Sequence, residues 1–263
     1  MIGQSKIVNY INSKSRDTFP RSIILLGEKG CGKHTVLNML SEKLCLQVVD
    51  ITKNLNFEYI MELQQKPEPY IYVISANELT VKSQNAMLKF IEEPLKNSFI
   101  VVLAESQNQL LPTVYNRCQI LNFVPYSKDE LLNFSTDELV LSIAKTPGQV
   151  KSLIDSGDMN GMIELANKMI TKIGTANIPN ILTISDKIAF KNEKDKFDLE
   201  LFANVFQYCI IKYIRENTVD KRYYEYYRLV SEWNNKRKAS TVLQKPLFEN
   251  YLLKFKNCLG EVR

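Results

Sequence analysis

No run in this 263-residue chain stays apolar over anything near the ~20 positions that a membrane-spanning helix needs, so no span is expected. The opening stretch, Met1 to Ser15, is polar and carries no apolar signal core, which argues against secretion. Cysteine is sparse and scattered: Cys31, Cys45, Cys118, Cys209 and Cys258 make an odd set with no CxxC pair. That spacing excludes a disulfide framework and a structural zinc, and fits reduced thiols in a cytoplasmic protein. Charge of one sign is also scarce. A net +5 is compatible with work near nucleic acid but does not identify it. Histidine occurs once, at position 34, and glycine only nine times.

What is present is alternation. From Ser22 to about Phe123, short apolar runs exchange with helical patterns, which reads as a parallel α/β unit. Ser22–Leu26, Leu46–Ile51, Tyr70–Ile74, Phe99–Leu103 and Gln119–Phe123 are the expected strands. Thr35–Leu46 places Val36, Leu37, Leu40 and Leu44 at helical spacing. Val81–Glu93 is a second helix, with Ala86, Met87, Phe90 and Ile91 on its apolar face and Pro94 stopping it. After Pro125 the strand signal ends. Short helices are expected to about 172 around a break at Thr146-Pro147-Gly148, then a helical, aromatic-rich block. The chain therefore divides into 1–126, an α/β domain; 127–176, a small helical domain; and 177–263, an all-α domain. The charged run Lys191–Lys196 reads as a solvated loop.

Three of the nine glycines, Gly27, Gly30 and Gly32, fall between the first strand and the first long helix, in Gly27-Glu-Lys-Gly-Cys-Gly-Lys33. This is the G-x-x-x-x-G-K pattern of a phosphate-binding loop in its required strand–loop–helix setting. Glycine lets the backbone wrap closely, its N–H groups point inward, and the helix N-terminus adds positive potential. Lys33 would reach the terminal phosphates. The next residue should carry a hydroxyl for magnesium, yet it is His34, and imidazole suits that hard ion poorly. Thr35 follows, but about 100° further round the helix. A nucleotide hydrolase of this type also ends its third strand with an acidic pair. In this chain the strand runs into Ser75-Ala76-Asn77, and no carboxylate follows until Glu78. Weak binding at Gly27, Gly30, Gly32, Lys33 and Thr35 remains compatible with this sequence; turnover does not.

Two segments carry a resemblance. Ser83-Gln-Asn-Ala-Met-Leu-Lys-Phe-Ile-Glu-Glu-Pro94 resembles the Q-N-A-L-L-K-x-L-E-E-P helix of bacterial clamp loader subunits, AAA+ proteins of the DNA polymerase III assembly. Leu111-Pro-Thr-Val-Tyr-Asn-Arg-Cys-Gln119 is similar to their L-P-T-I-x-S-R-C-Q segment. Weaker matches are Ile2-Gly3-Gln4 to an N-terminal I-G-Q, Thr146-Pro147-Gly148 to an S-P-G turn, and Ala239–Leu253 to a final helical pair. A degraded nucleotide loop with a retained arginine resembles the delta-prime type of subunit. Asn116 stands where the family has serine, and the family's four-cysteine zinc module is missing.

The resemblance implies an AAA+ P-loop domain, a helical lid and a helical collar in a ring with tau/gamma ATPase subunits and delta. The ring opens a sliding clamp and places it on primed DNA. It further implies that Arg117 acts in trans as an arginine finger beside a neighbour's ATP and magnesium. The missing cysteine module predicts no zinc, and His34 with the missing acidic pair predicts no bound cofactor and no independent ATPase activity in this chain. An active tau/gamma-like ATPase and a stand-alone nucleic-acid-binding P-loop relative are the competing readings.

Other residues have plainer alternatives. Gln149 stands near where active family members place a second sensor arginine, and Ser106 follows the fourth strand, where a capping role competes with a phosphate sensor. Tyr223, Tyr224, Tyr226 and Tyr227, flanked by Lys221, Arg222 and Arg228, could stack on single-stranded nucleic acid. The spacing of Tyr223, Tyr226, Tyr227 and Val230 instead favours a packed helical stripe.

Overall fold

A computed structural model describes residues 2–65, 68–155, 159–173, 175–189, 199–216, 222–236 and 244–260. The run Lys191–Lys196 and Lys221 lie outside the described residues, as does the first part of the Ala239–Leu253 segment. The chain forms two compact units, Met1–Thr136 with Ala144–Ser152, and Asp137–Ile143 with Leu153–Arg263.

In the first unit the order is α1 (Ser5–Ser13), β1 (Ser22–Leu26), α2 (Lys33–Leu44), β2 (Val48–Asp50), α3 (Phe57–Gln65), β3 (Ile71–Ser75), α4 (Val81–Glu92), β4 (Phe99–Ala104), α5 (Pro112–Tyr115), β5 (Gln119–Asn122) and α6 (Lys128–Leu131). The five strands form one parallel sheet in the order β2-β3-β4-β1-β5. The central strands are apolar throughout because both sheet faces are covered. Ile23, Leu25, Val73, Val101 and Leu121 turn to one face with Ile7, Ile11, Val36 and Leu40. Ile24, Tyr72, Ile74, Ile100 and Val102 turn to the other with Ile60, Met87, Phe90 and Ile91. Each residue step reverses the face, so a one-residue slip would exchange both cores.

The strand expected over Leu46–Ile51 contracts to Val48–Asp50. The cause is the end of α2, where Cys45 adopts φ 51° and the Leu46 N–H bonds the Ser41 carbonyl at 3.2 Å. Two helices, α1 and α3, emerge that the apolar spacing does not announce. In α1 the buried set is Ile7 and Ile11, one stripe four residues apart, and in α3 only Ile60 is buried. α4 matches its pattern closely: Thr80 caps it by accepting from the Ser83 N–H at 3.2 Å, and Gln84, Met87, Phe90 and Ile91 are buried.

The second unit is helical: α7 (Glu138–Ile143), the last residues of α8 (Pro147–Asp155), α9 (Met159–Lys172), α10 (Ile178–Ala189), α11 (Leu199–Glu216), α12 (Arg222–Lys236) and α13 (Gln244–Gly260). α7, α9 and α12 pack on α11, and α10 and α12 on α13. Aromatic rings form much of its core. Phe206 and Tyr226 meet Phe255 edge-on at 5.6 and 5.4 Å, and Trp233 lies 4.9 Å from Phe248. The tyrosine stripe is real but narrower than its spacing suggests. Tyr226 and Val230 are buried and Tyr223 lies 4.3 Å from Tyr213, whereas Tyr227 is 40% exposed and off the stripe. No described helix is long and apolar enough to cross a membrane.

Candidate functional site

The glycine loop leaves the carboxyl end of β1, between β4 and β5, where parallel α/β sheets place their ligands. The Gly27 N–H donates to the Ala104 carbonyl at 3.0 Å, tying the loop to the end of β4. A Cβ on Gly27 would meet Phe123 Cβ at 2.6 Å, so nothing larger fits. Gly30 and Gly32 take left-handed φ values of 80° and 102°, which a side chain would strain. Tyr126 donates its hydroxyl to the Cys31 carbonyl at 2.9 Å, and burial pushes the Cys31 thiol pKa up, partly opposed by the Lys33 charge.

A second segment closes on this loop. Thr146 Oγ1 donates to the Lys29 carbonyl at 2.9 Å, and the Gly148 N–H donates to the Gly30 carbonyl at 3.0 Å. The approach is so close that a Cβ on Gly148 would lie 2.5 Å from Gly30 Cα. Lys33 folds back on the loop itself. Its ammonium donates to the Gly27 carbonyl, and to the Glu28 carbonyl at 3.1 Å.

The residues present do not fit magnesium. His34 and Thr35 are both exposed, and β3 ends at Ser75 before a single helical turn, Ala76–Glu78, in which Glu78 is exposed. The Ser75 N–H donates to Thr52 Oγ1 at 2.9 Å, and that hydroxyl donates to Asp50 Oδ1 at 2.6 Å. Asp50 is a carboxylate at the sheet's carboxyl edge that the strand-by-strand sequence reading passes over. It ends β2, three strand spacings from β1, or about 14 Å sideways. That is too far to serve a metal at Lys33. Among the described residues no three His, Cys, Asp or Glu side chains are grouped to hold a metal.

Arg117 is also exposed, but it is held by two partners. It follows α5, its side chain 42% exposed. Its Nε donates to Glu92 Oε1 at 2.5 Å and its Nη1 to the Thr113 carbonyl at 2.9 Å. The neighbouring Cys118 points into apolar surroundings that push its thiol pKa up to about 12. The chain leading to Arg117 is held by buried Gln84 of α4, whose Nε2 donates to the Gln109 carbonyl at 3.0 Å while its Oε1 accepts from the Leu111 N–H at 2.7 Å. One amide thus satisfies a donor and an acceptor of the partly buried backbone before α5. The two motif segments of the sequence are therefore one physical device.

The other candidates have local duties. Gln149 Oε1 accepts from the Lys145 N–H at 2.7 Å, which commits it to its own turn. Ser106 heads the single helical turn Gln107–Gln109, and Gln109 Oε1 accepts from the Glu105 N–H at 2.7 Å. The Gln149 backbone lies against the glycine loop, its N–H donating at 3.3 Å to the Thr146 hydroxyl that bonds Lys29, but no hydrogen bond joins the Gln149 or Ser106 side chain to that loop. Gln4, read from sequence only as part of a motif, is 1% exposed and brackets Val124: its Nε2 donates to the Val124 carbonyl at 2.8 Å and its Oε1 accepts from the Val124 N–H at 3.0 Å. Gln4 stands three positions before Ile7, in line with the buried Ile7–Ile11 stripe, but its partner lies 120 positions away.

The chain is similar to known proteins in one segment of its sequence and in its fold. The family described as DNA polymerase III, delta subunit, matches residues 53–127, the stretch that holds Gln84, Glu92 and Arg117. DNA polymerase III subunit delta' of Haemophilus influenzae is 38% identical over 74 residues, covering 28% of this chain and 23% of that protein. The Bacillus subtilis subunit of the same name is 43% identical over 56 residues, covering 21% and 17%. The matched stretches thus span about a fifth of those relatives. The fold agrees with a DNA polymerase III gamma subunit-related protein of Thermotoga maritima over 97% of this chain and 99% of that one, at 17% identity and a TM-score of 0.53. The chain thus shares its fold with that gamma subunit-related protein and, through the segment that carries Gln84 and Arg117, is similar to DNA polymerase III delta and delta' subunits.

Proposed function

We propose that this chain acts in DNA replication as a nucleotide-silent subunit of a clamp loader, lending Arg117 to ATP hydrolysis on a neighbouring subunit. Its partners under this reading are tau/gamma-type ATPase subunits and a delta subunit, and through them a sliding clamp and primed DNA in the cytoplasm. One contrast carries the proposal. The chain's own loop, at the carboxyl end of β1, has no magnesium ligands, while an arginine in a family-matched segment is partly exposed just before β5, the strand that pairs with β1.

The chemistry follows from charge. As the γ-phosphoryl group transfers, negative charge shifts among the phosphate oxygens. A planar, permanently charged guanidinium placed against them stabilises that state, and it costs little reorganisation if held in advance. Arginine fingers in other nucleotide hydrolases supply roughly 10³–10⁵ in rate. Such a residue has a use on a chain without metal ligands only when the nucleotide is next door.

The purified chain is expected to show no magnesium-dependent ATP hydrolysis above background. Steady-state turnover that disappears in Lys33→Ala would overturn the proposal in favour of a working ATPase.

A further inference from the structure

The ion pair between Glu92 and Arg117 is poorly explained by stability. Both side chains are nearly half exposed, at 49% and 42%, and exposed pairs of this kind contribute little to folding. Glu92 is also the last residue of α4 and is followed by Glu93, so two carboxylates sit at the negative end of the helix dipole, where acidic groups are unfavourable. What Glu92 does is geometric. An arginine side chain rotates freely about its methylene stem, and presenting it to an anion in one pose costs that freedom. Glu92 holds Nε from α4 and the Thr113 carbonyl holds Nη1 from α5, two points that fix the guanidinium plane. Among the described residues Nη2 makes no hydrogen bond, so both its hydrogens are left for an outside acceptor.

We propose that Glu92 is the positioning residue for Arg117, orienting the guanidinium through Nε so that Nη2 is presented to the phosphate oxygens of a nucleoside triphosphate held by an adjoining subunit. This rests on the trans-acting reading of Arg117, and the two stand or fall by different variants. Because the role is to accept a hydrogen bond at a fixed reach, Glu92→Gln keeps it and Glu92→Asp, one methylene shorter, does not. A role resting on negative charge would rank those two variants the other way.

The test is steady-state ATP hydrolysis by the whole reconstituted clamp loader with clamp and primed DNA, for the native chain and for Arg117→Ala, Glu92→Ala, Glu92→Gln, Glu92→Asp and Glu92→Ala/Arg117→Ala. Arg117→Ala should lower kcat, and Glu92→Ala and Glu92→Asp should lower the Arg117-dependent part of kcat by about tenfold, with KM for ATP unchanged. Glu92→Gln should retain at least about half of that part, and the double variant should be no slower than Arg117→Ala alone. The inference is overturned if Arg117→Ala is slow while Glu92→Ala runs at or above the native rate, if Glu92→Gln is as slow as Glu92→Asp, or if the Glu92 variants act by lowering the unfolding temperature or preventing assembly. A native rate in Arg117→Ala itself removes the trans-acting reading, and the positioning role falls with it.

Discussion

The loop after β1 and the segment before β5 differ in what holds them and in what they present. The glycine loop keeps its backbone, with left-handed φ values at Gly30 and Gly32, but lacks the side chains that hold magnesium. The Arg117 segment keeps its side-chain chemistry on a short helix whose position is fixed from outside, by Gln84 and Glu92 of α4. The packing at the loop gives its glycines a use apart from nucleotide chemistry. Gly30 and Gly148 approach too closely for any side chain, and their backbone hydrogen bond joins the loop to the Thr146–Gly148 turn. Glycine there serves packing, whatever its original purpose. At Arg117 packing asks for nothing charged, and the arginine remains exposed.

The largest expected effect breaks the loop side of this contrast. Gly148→Ala places a methyl group 2.5 Å from Gly30 Cα, a clash between two backbones that no rotamer relieves. It should cost about 3 kcal/mol locally, read as a roughly hundredfold loss of hydrogen-exchange protection at the amides of Gly148, Gln149 and Val150. Unchanged protection would mean the loop is not closed by that turn. A smaller effect is expected on the arginine side. Gln84→Ala orphans the Leu111 N–H and the Gln109 carbonyl and should cost about 2 kcal/mol, with faster exchange concentrated at Leu111. If exchange instead rises evenly across the sheet, α4 does not hold that segment specifically. The smallest effect is Lys33→Ala. Its ammonium meets only two loop carbonyls, so thermal unfolding should move by no more than about 0.5 kcal/mol in free energy.

Much of this was legible in the residues because it is written in short periods. β1, α2 and α4 follow from apolar runs and i, i+3, i+4 spacing, and the loop from its glycines. What escaped depends on contacts between distant positions. Gln84 meets residues 25 and 27 positions away, and Glu92 meets Arg117 across 25. No local pattern marks a polar side chain that faces inward to a backbone amide. α1 and α3 were missed because each buries too narrow a stripe to stand out from its polar neighbours. Tyr227 shows the converse error, where helical spacing alone placed a residue in the core that the helix turns outward.

The central claim is that this chain is silent at Lys33 and active at Arg117, and one side-by-side measurement addresses both. Clamp- and DNA-stimulated ATP hydrolysis should be followed in complexes reconstituted with the native chain, with Lys33→Ala and with Arg117→Ala, each shown to assemble. The account predicts a native rate for Lys33→Ala. It predicts a marked but partial loss for Arg117→Ala, with Arg117→Lys recovering little because an ammonium lacks the planar fork. A complex slowed by Lys33→Ala and indifferent to Arg117→Ala would contradict it.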